Sequence, residues 1–189
     1  MTDNSRGLEL SDEMMKLRKA RLEDAEGIRE VYENAFPEEE KELVSNLAVD
    51  LLSEESGRPV LSMVAEEEGG IIGHVAFSPV FERRSKVFLG HILAPLAVRS
   101  EWQKKGVGSS LVREGTARLG KEAEVLLVYG DPEYYGRFGF ETEVGDKYEP
   151  PYPLAFPFGW QGMQIGERSA HSDSVEIECV APLSNRKLW

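Results

Sequence analysis

The spacing of apolar side chains over the first third of the chain predicts one strand followed by two helices. Residues 14–19 alternate apolar and basic side chains, as half-buried strands do. After Asp24, apolar residues recur at helical spacing until Pro37, and residues 38–53 predict a second helix that closes before Gly57. The face expected to be buried on the first helix carries Ala25, Ile28, Tyr32, Ala35 and Phe36.

The middle of the chain predicts three strands in a meander. Residues 60–66 and 71–80 are rich in apolar side chains and flank Gly69 and Gly70, a pair typical of a tight hairpin turn. A long apolar run over residues 87–98 follows, and its length fits a third strand.

Beyond residue 98 the pattern changes to strand, helix and strand. A helix is predicted over residues 107–119, a strand over 124–129 and a short helix after Pro132. A helix between two strands implies that the strands are parallel neighbours joined by a right-handed crossover.

The last part of the chain combines a loop and a final strand. Residues 150–157 are rich in proline and aromatic side chains and predict a surface loop, and residues 174–180 predict the last strand. The chain is therefore expected to form one α+β domain over residues 14–189 around a mixed sheet, after a flexible, polar arm over residues 1–13.

Composition narrows the class of protein. No apolar run approaches the ~18–20 residues of a membrane span, and residues 1–14 lack the apolar region of a secretory signal. A single cysteine, Cys179, excludes an internal disulfide and fits a reducing cytoplasm, and its apolar strand favours a core role over a nucleophilic one. Cys179, His74 and His91 show no metal-binding spacing, so no metal is expected.

The net charge of −12 argues against nucleic acid as a partner, because non-specific binding of phosphate backbones requires a basic face. An acidic field favours a cationic second substrate, such as an amine. Against this background, the basic loop after residue 98 is the exception.

That loop runs from Gln103 to Gly108 and leads directly into the predicted helix. Free N–H groups at a helix N-terminus, with glycines beside them, can bind a diphosphate without a metal. The spacing matches neither the P-loop nor the dinucleotide fingerprint. From spacing alone, an anion site and an ordinary glycine-containing loop are equally supported.

Two segments of the chain resemble signatures of the GNAT superfamily of acetyltransferases. Leu96-Ala97-Val98 followed by Gln103-Lys104-Lys105-Gly106-Val107-Gly108 resembles its acyl-CoA signature, Gln/Arg-x-x-Gly-x-Gly/Ala. Tyr135-Gly136-Arg137-Phe138-Gly139-Phe140 resembles its Tyr-x-x-x-Gly-Phe segment. The resemblance extends over residues 15–180, and residues 93–98 and 130–135 look most like the YhbS-like branch.

The resemblance implies a GNAT-type fold: a mixed, mostly antiparallel, splayed central sheet flanked by helices. The fourth and fifth strands would separate, and the pantetheine of acetyl-CoA would lie in the gap beside the backbone of Leu96, Ala97 and Val98. The diphosphate would be held by Gln103, Lys104, Lys105, Gly106, Val107, Gly108 and Ser109.

The implied activity is transfer of an acetyl group from acetyl-CoA to a primary amine of a small molecule, peptide or protein, by direct attack without a covalent enzyme intermediate. Tyr135 matches the family tyrosine that lies near the CoA sulfur and acts as acid. The alternative is that Tyr135 is one of two stacked core aromatics and Tyr134 is the exposed one. The base is left open between water and His74, His91, Glu101 or Glu133.

Other functions stay open at this stage. One rival is a different acyl donor or an O-acyl acceptor, and another is a non-catalytic CoA-binding sensor or partner subunit with the same fold. The resemblance also implies that a homodimer through the C-terminal strands is possible, because members of the family commonly form one. The aromatic side chains that either line the acceptor pocket or pack a long loop are Tyr148, Tyr152, Phe156, Phe158 and Trp160.

Overall fold

The predicted strands and helices of the first two thirds of the chain are all present in the computed structural model, which describes residues 15–55, 57–120, 122–167 and 174–189. The arm expected over residues 1–13 lies outside the described residues. The strands are β1 (Lys16–Lys19), β2 (Leu61–Glu67), β3 (Gly70–Glu82), β4 (Phe88–Val98), β5 (Val125–Tyr129), β6 (Tyr148–Glu149), β7 (Trp160–Gln164) and β8 (Val175–Cys179). The α-helices are α1 (Ala25–Ala35), α2 (Glu38–Leu52), α3 (Val107–Arg118), α4 (Pro132–Tyr135) and α5 (Thr142–Gly145).

The sheet has the strand order β1-β2-β3-β4-β5-β7 and is mostly antiparallel. Strands β4 and β5 are parallel, as the strand–helix–strand segment predicts. Strand β8 pairs with the end of β3, and the short β6 lies beside β8. The mixed α+β fold class is therefore confirmed.

The two faces of the sheet are covered by different helices. Along β2, Met63 and Ala65 face the cluster that includes α3, whereas Val64 between them faces the cluster of α1. This alternation follows from the two-residue period of a strand. Helix α2 lies on the α1 side, where Leu47 and Leu51 pack with the C-terminal Leu183 and Trp189.

Strand β7 is the main element that the apolar pattern does not predict. Its sequence, WQGMQ, contains two glutamines and a glycine, which have weak strand preferences. It forms because the outer edge of β5 needs a hydrogen-bonding partner, and it pairs with β5 along its whole length. Gly162 is required because an added Cβ would lie 2.9 Å from Val144 of α5.

Asp24 occupies the N-cap position of α1, but its side chain is bonded to a neighbouring strand. Its carboxylate accepts hydrogen bonds at 2.6 and 2.9 Å from the guanidinium of Arg18 on β1, and it makes no side-chain cap to the helix. The same guanidinium lowers the pKa of Asp24. The ion pair therefore joins the first strand to the turn that starts α1.

Helix α3 approaches the sheet closely at Gly115. A Cβ added there would lie 2.1 Å from Cε2 of Phe77, which is 0% exposed. At Gly108, an ideal Cβ would lie 3.5 Å from Val98 of β4 and 2.7 Å from the hydroxyl of Tyr134. The missing side chain of Gly108 therefore also leaves room for Tyr134.

We expect Gly115→Ala to destabilise the protein by about 1–3 kcal/mol, because the helix or the Phe77 ring must move to accommodate one methyl group. Urea unfolding measures this change. Gly136→Ala is the matched control, since Gly136 has helical φ and ψ of −56° and −27° and open space around its Cβ position. Equal stability of the two variants would show that α3 is not packed as described.

Candidate active site between two diverging strands

The parallel pairing of β4 and β5 ends early, and this opens the sheet. The last paired residues are Leu93 and Val128, whereas β4 continues to Val98 beside β3 alone. Pro95 lies in this stretch and supplies no N–H to the hydrogen-bond ladder of the sheet. A cavity of about 320 Å³, here named the cleft cavity, fills the opening. Its lining includes Phe36, Val44, Ala94, Leu96, Tyr135 and Trp189.

The end of β4 presents backbone groups to the gap. The N–H of Arg99 donates to the carbonyl of Ile72, which fixes the antiparallel register with β3. Because successive residues of a strand direct their peptide groups to opposite edges, Ala97 bonds toward β3, and Leu96 and Val98 face the gap. The amide of Gln103 already donates to the Val98 carbonyl at 3.0 Å.

The head of α3 lies just beyond this strand end. Gly106 precedes the helix with a φ of 87°, in the left-handed region that favours glycine, and no side chain caps the helix. The N–H of Ser110 donates to the Gly106 carbonyl and begins the helical ladder. The N–H groups of Val107, Gly108 and Ser109 come before it and point out of the helix end.

Positive charge surrounds this helix head. Lys104 and Lys105 are exposed, and the Lys105 ammonium lies 4.7 Å from the centre of the Trp102 ring. The Arg137 guanidinium lies 4.6 Å from the centre of the Tyr134 ring, and Arg113 lies over Phe138. Together with the helix dipole, these cations make the site attractive to an anion.

The two adjacent tyrosines occupy different positions. Tyr135 lines the cleft cavity, and its ring lies against Gly130, where an added Cβ would be 2.5 Å from Cε2. Burial raises the pKa of Tyr135, so its hydroxyl keeps its proton at neutral pH. The Tyr134 hydroxyl lies beside Gly108, within hydrogen-bonding reach of Ser109.

His74 is enclosed in the protein core. Its ring lies between the hydroxyls of Tyr32 at 2.8 Å and Ser62 at 2.7 Å, with no exposed surface. Burial lowers the pKa of His74 to about 3. A neutral, fully bonded imidazole here joins α1 to β2 and β3, and it does not reach the cleft cavity.

The other base candidates also lie away from the cleft cavity. His91 lines a separate cavity with Arg58 and Glu122, where burial lowers its pKa to about 4. Glu101 and Glu133 are exposed and do not contribute to the cleft lining. Cys179 is not a nucleophile either, because burial raises its pKa to about 12.

The structure adds residues that the sequence patterns did not single out. Glu40, in the first turn of α2, lines the cleft cavity, as do Leu183, Leu188 and Trp189 from the end of the chain. No local motif marks them, because they reach the gap only through the packing of α2 and the C-terminal segment on the same face of the sheet. What these residues share is their place in the folded structure, and no residue pattern along the chain indicates it.

Within the described ranges, no three His, Cys, Asp or Glu residues form a group that could hold a metal ion. Nor does any helix among those residues combine the length and apolar character needed to cross a bilayer.

The chain is similar to known acetyltransferases. The acetyltransferase (GNAT) domain pattern matches residues 59–142. YjhQ of Escherichia coli strain K12, an uncharacterized N-acetyltransferase, is 42% identical over 134 residues, covering 69% of this chain and 72% of YjhQ. This chain belongs to the GNAT acetyltransferase family, so the class of enzyme expected from the two motifs is confirmed.

Solved structures of related proteins share the fold. YhbS from Escherichia coli in complex with CoA has a TM-score of 0.77 and 27% identity, covering 91% of this chain and 93% of that one. A GNAT family acetyltransferase from Brucella melitensis in complex with acetyl-CoA has a TM-score of 0.64 and 32% identity, covering 90% of this chain and 98% of that one. The splayed GNAT sheet expected from the sequence is confirmed.

We expect the free energy of unfolding to fall as the pH is lowered from about 6.5. Burial lowers the folded-state pKa of His74 to about 3 and that of His91 to about 4, so these histidines become protonated in the unfolded chain well before they do in the folded protein. The slope from each histidine rises as the pH falls and approaches about 1.4 kcal/mol per pH unit near pH 5. Urea unfolding between pH 5 and 6.5 measures it. His91→Gln should remove about half of this slope, and an unchanged slope would contradict the burial of His91.

Proposed function

We propose that this protein transfers the acetyl group of acetyl-CoA to a primary amine in the gap between β4 and β5. One observation carries the proposal: Tyr135, whose hydroxyl stays protonated, lines the cleft cavity beside β4, and the uncapped head of α3 follows the end of the same strand. A donor with a diphosphate at one end and a thioester at the other matches these two features. The acceptor is a small amine or a peptide amino group, and the single cysteine supports a cytoplasmic location.

The residues present suit the donor at each end. The three N–H groups at the head of α3 supply hydrogen bonds to the diphosphate, and Lys104 and Lys105 supply positive charge. Gln103 supports the loop through its bond to Val98. We assign the pairing with the pantetheine amides to Leu96 and Val98, instead of Ala97, because the Ala97 peptide groups are used by β3.

The chemical step needs no nucleophile from the protein, because the thioester is already activated. The amine nitrogen attacks the thioester carbon, the new C–N bond forms, and the C–S bond breaks. The hydroxyl of Tyr135 gives its proton to the departing sulfur, and a backbone N–H near Val98 stabilises the developing oxyanion.

Proton removal from the amine is assigned to water. Neither His74 nor His91 reaches the cleft cavity, and both are neutral through bonds or burial elsewhere. The amine therefore has to lose its first proton to solvent before it attacks. The second proton leaves after the C–N bond forms, and Tyr135 is reprotonated by the same route.

We expect Tyr135→Phe to lower kcat by about two orders of magnitude while the Kd for CoA stays unchanged, because only the acid is lost. Release of free thiol from acetyl-CoA measures kcat, and calorimetry measures Kd. Tyr134→Phe is the matched control, since it removes the hydroxyl of the neighbouring ring and should keep most of the turnover. A large loss in Tyr134→Phe with normal turnover in Tyr135→Phe would reverse the assignment.

We expect Gly106→Val to weaken CoA binding at least tenfold, because a branched residue cannot hold the left-handed conformation before α3 and the N–H groups lose their alignment. Calorimetry with CoA measures the effect. Gly57→Val is the control: Gly57 has a φ of 99°, with nothing within 4 Å of its Cβ position, outside the site. If both variants bind CoA like the unaltered protein, the helix head does not bind the diphosphate.

A further inference from the structure

A second cavity adjoins the cleft cavity near the start of α2. It has a volume of about 590 Å³ and is here named the aromatic cavity. Four residues line both cavities, namely Glu40, Tyr129, Leu188 and Trp189, so the two spaces are neighbours. A molecule in the aromatic cavity would therefore lie beside the gap between β4 and β5.

The aromatic cavity is bounded by two phenylalanines that the core does not use. Phe156 is 62% exposed and Phe158 is 65% exposed, and their ring centres are 5.9 Å apart. Single exposed apolar side chains are common on folded surfaces, but two neighbouring rings form a contiguous patch of the kind that meets a ligand or partner. Among the described residues, the two other large hydrophobic side chains in this class, Leu22 and Val87, lie in separate elements and line neither cavity.

The main chain beneath these rings is fixed by other contacts. The N–H of Phe156 donates to the hydroxyl of Tyr129 at 2.9 Å, and the N–H of Ala155 donates to the main-chain oxygen of Trp189 at 3.0 Å. The N–H of Gly130 donates to the carbonyl of Gly159 at 2.9 Å. These main-chain hydrogen bonds hold the segment in place while both rings face solvent. None of the bonds involves the phenylalanine side chains.

Charge at the junction of the two cavities is suited to an ammonium group. The carboxylate side chain of Glu40 belongs to both linings, and Asp131 lies at the rim of the aromatic cavity, where it also caps α4. Lys187 is the one basic residue of that lining. One acidic group near the gap, Glu40, and apolar rings farther out suit an amphipathic ligand with a cationic end.

We propose that the acceptor is a primary amine carried by an aromatic or bulky apolar group. The apolar group lies against Phe156 and Phe158, and Glu40 attracts the ammonium toward the cleft cavity. This proposal rests on the acetyltransferase function proposed above and names its substrate class. Polyamines and other strongly polar amines lack the group that the aromatic cavity would bury.

The test compares phenylethylamine with ethylamine, which has the same amino group but no ring. Thiol release from acetyl-CoA gives kcat/KM, and calorimetry on the protein saturated with CoA gives Kd. We expect phenylethylamine to have a kcat/KM at least tenfold higher and to bind measurably when ethylamine does not. The double variant Phe156→Ser/Phe158→Ser should raise KM for phenylethylamine about tenfold and leave its kcat and the KM for acetyl-CoA unchanged.

Leu22→Ser is the matched control, because Leu22 is 64% exposed and lines neither cavity. It should leave all these constants unchanged, whereas Glu40→Gln should weaken binding of phenylethylamine. Binding of phenylethylamine without thiol release would overturn the proposed function and support the aromatic cavity. Turnover of ethylamine or spermidine at equal or higher kcat/KM, or double-variant binding like that of the unaltered protein, would overturn the substrate class.

Discussion

Strands β4 and β5 form hydrogen bonds over only part of their length, and the candidate site exists because of this. Two parallel strands that stop exchanging hydrogen bonds at Leu93 and Val128 must leave peptide groups and apolar walls facing a gap. The rest of the molecule holds that gap open from two sides: α3 packs on one face through Gly115 and Phe77, and α2 with the C-terminal segment packs on the other. A sheet paired along its full length would have no cleft cavity.

Buried polar groups in this protein mainly fix the position of elements around that gap. The chain of hydrogen bonds from Tyr32 through His74 to Ser62 ties α1 to two strands, and Phe36 at the end of α1 stacks on Tyr32 and lines the cleft cavity. Arg18 and Asp24 perform a similar task at the start of α1. A histidine in such a chain resembles a catalytic group by residue type, yet its full set of partners identifies it as structural.

Apolar periodicity and two short motifs were sufficient to predict the elements that form from their own sequence. Periodicity located the first five strands and the three long helices, and the Gln103–Gly108 and Tyr135–Phe140 motifs indicated the two sides of the candidate site. Strand β7 was missed because its glutamines and glycine acquire strand structure only beside β5. Glu40 and Trp189 were missed because their place in the cavity depends on how distant elements pack, and the exposed state of Phe156 and Phe158 depends on the same packing.

The bond between Tyr129 and the main chain of Phe156 has an evolutionary consequence. Because Tyr129 is the last residue of β5, the position of the cavity wall is set by the sheet, and the two phenylalanine side chains contribute little to folding. Under the proposed acceptor class, substitutions at these two positions alter which molecules are accepted and cost little stability. Related proteins with this architecture can therefore come to use different acceptors through substitutions at a few exposed positions. The residues that carry out acetyl transfer are selected separately.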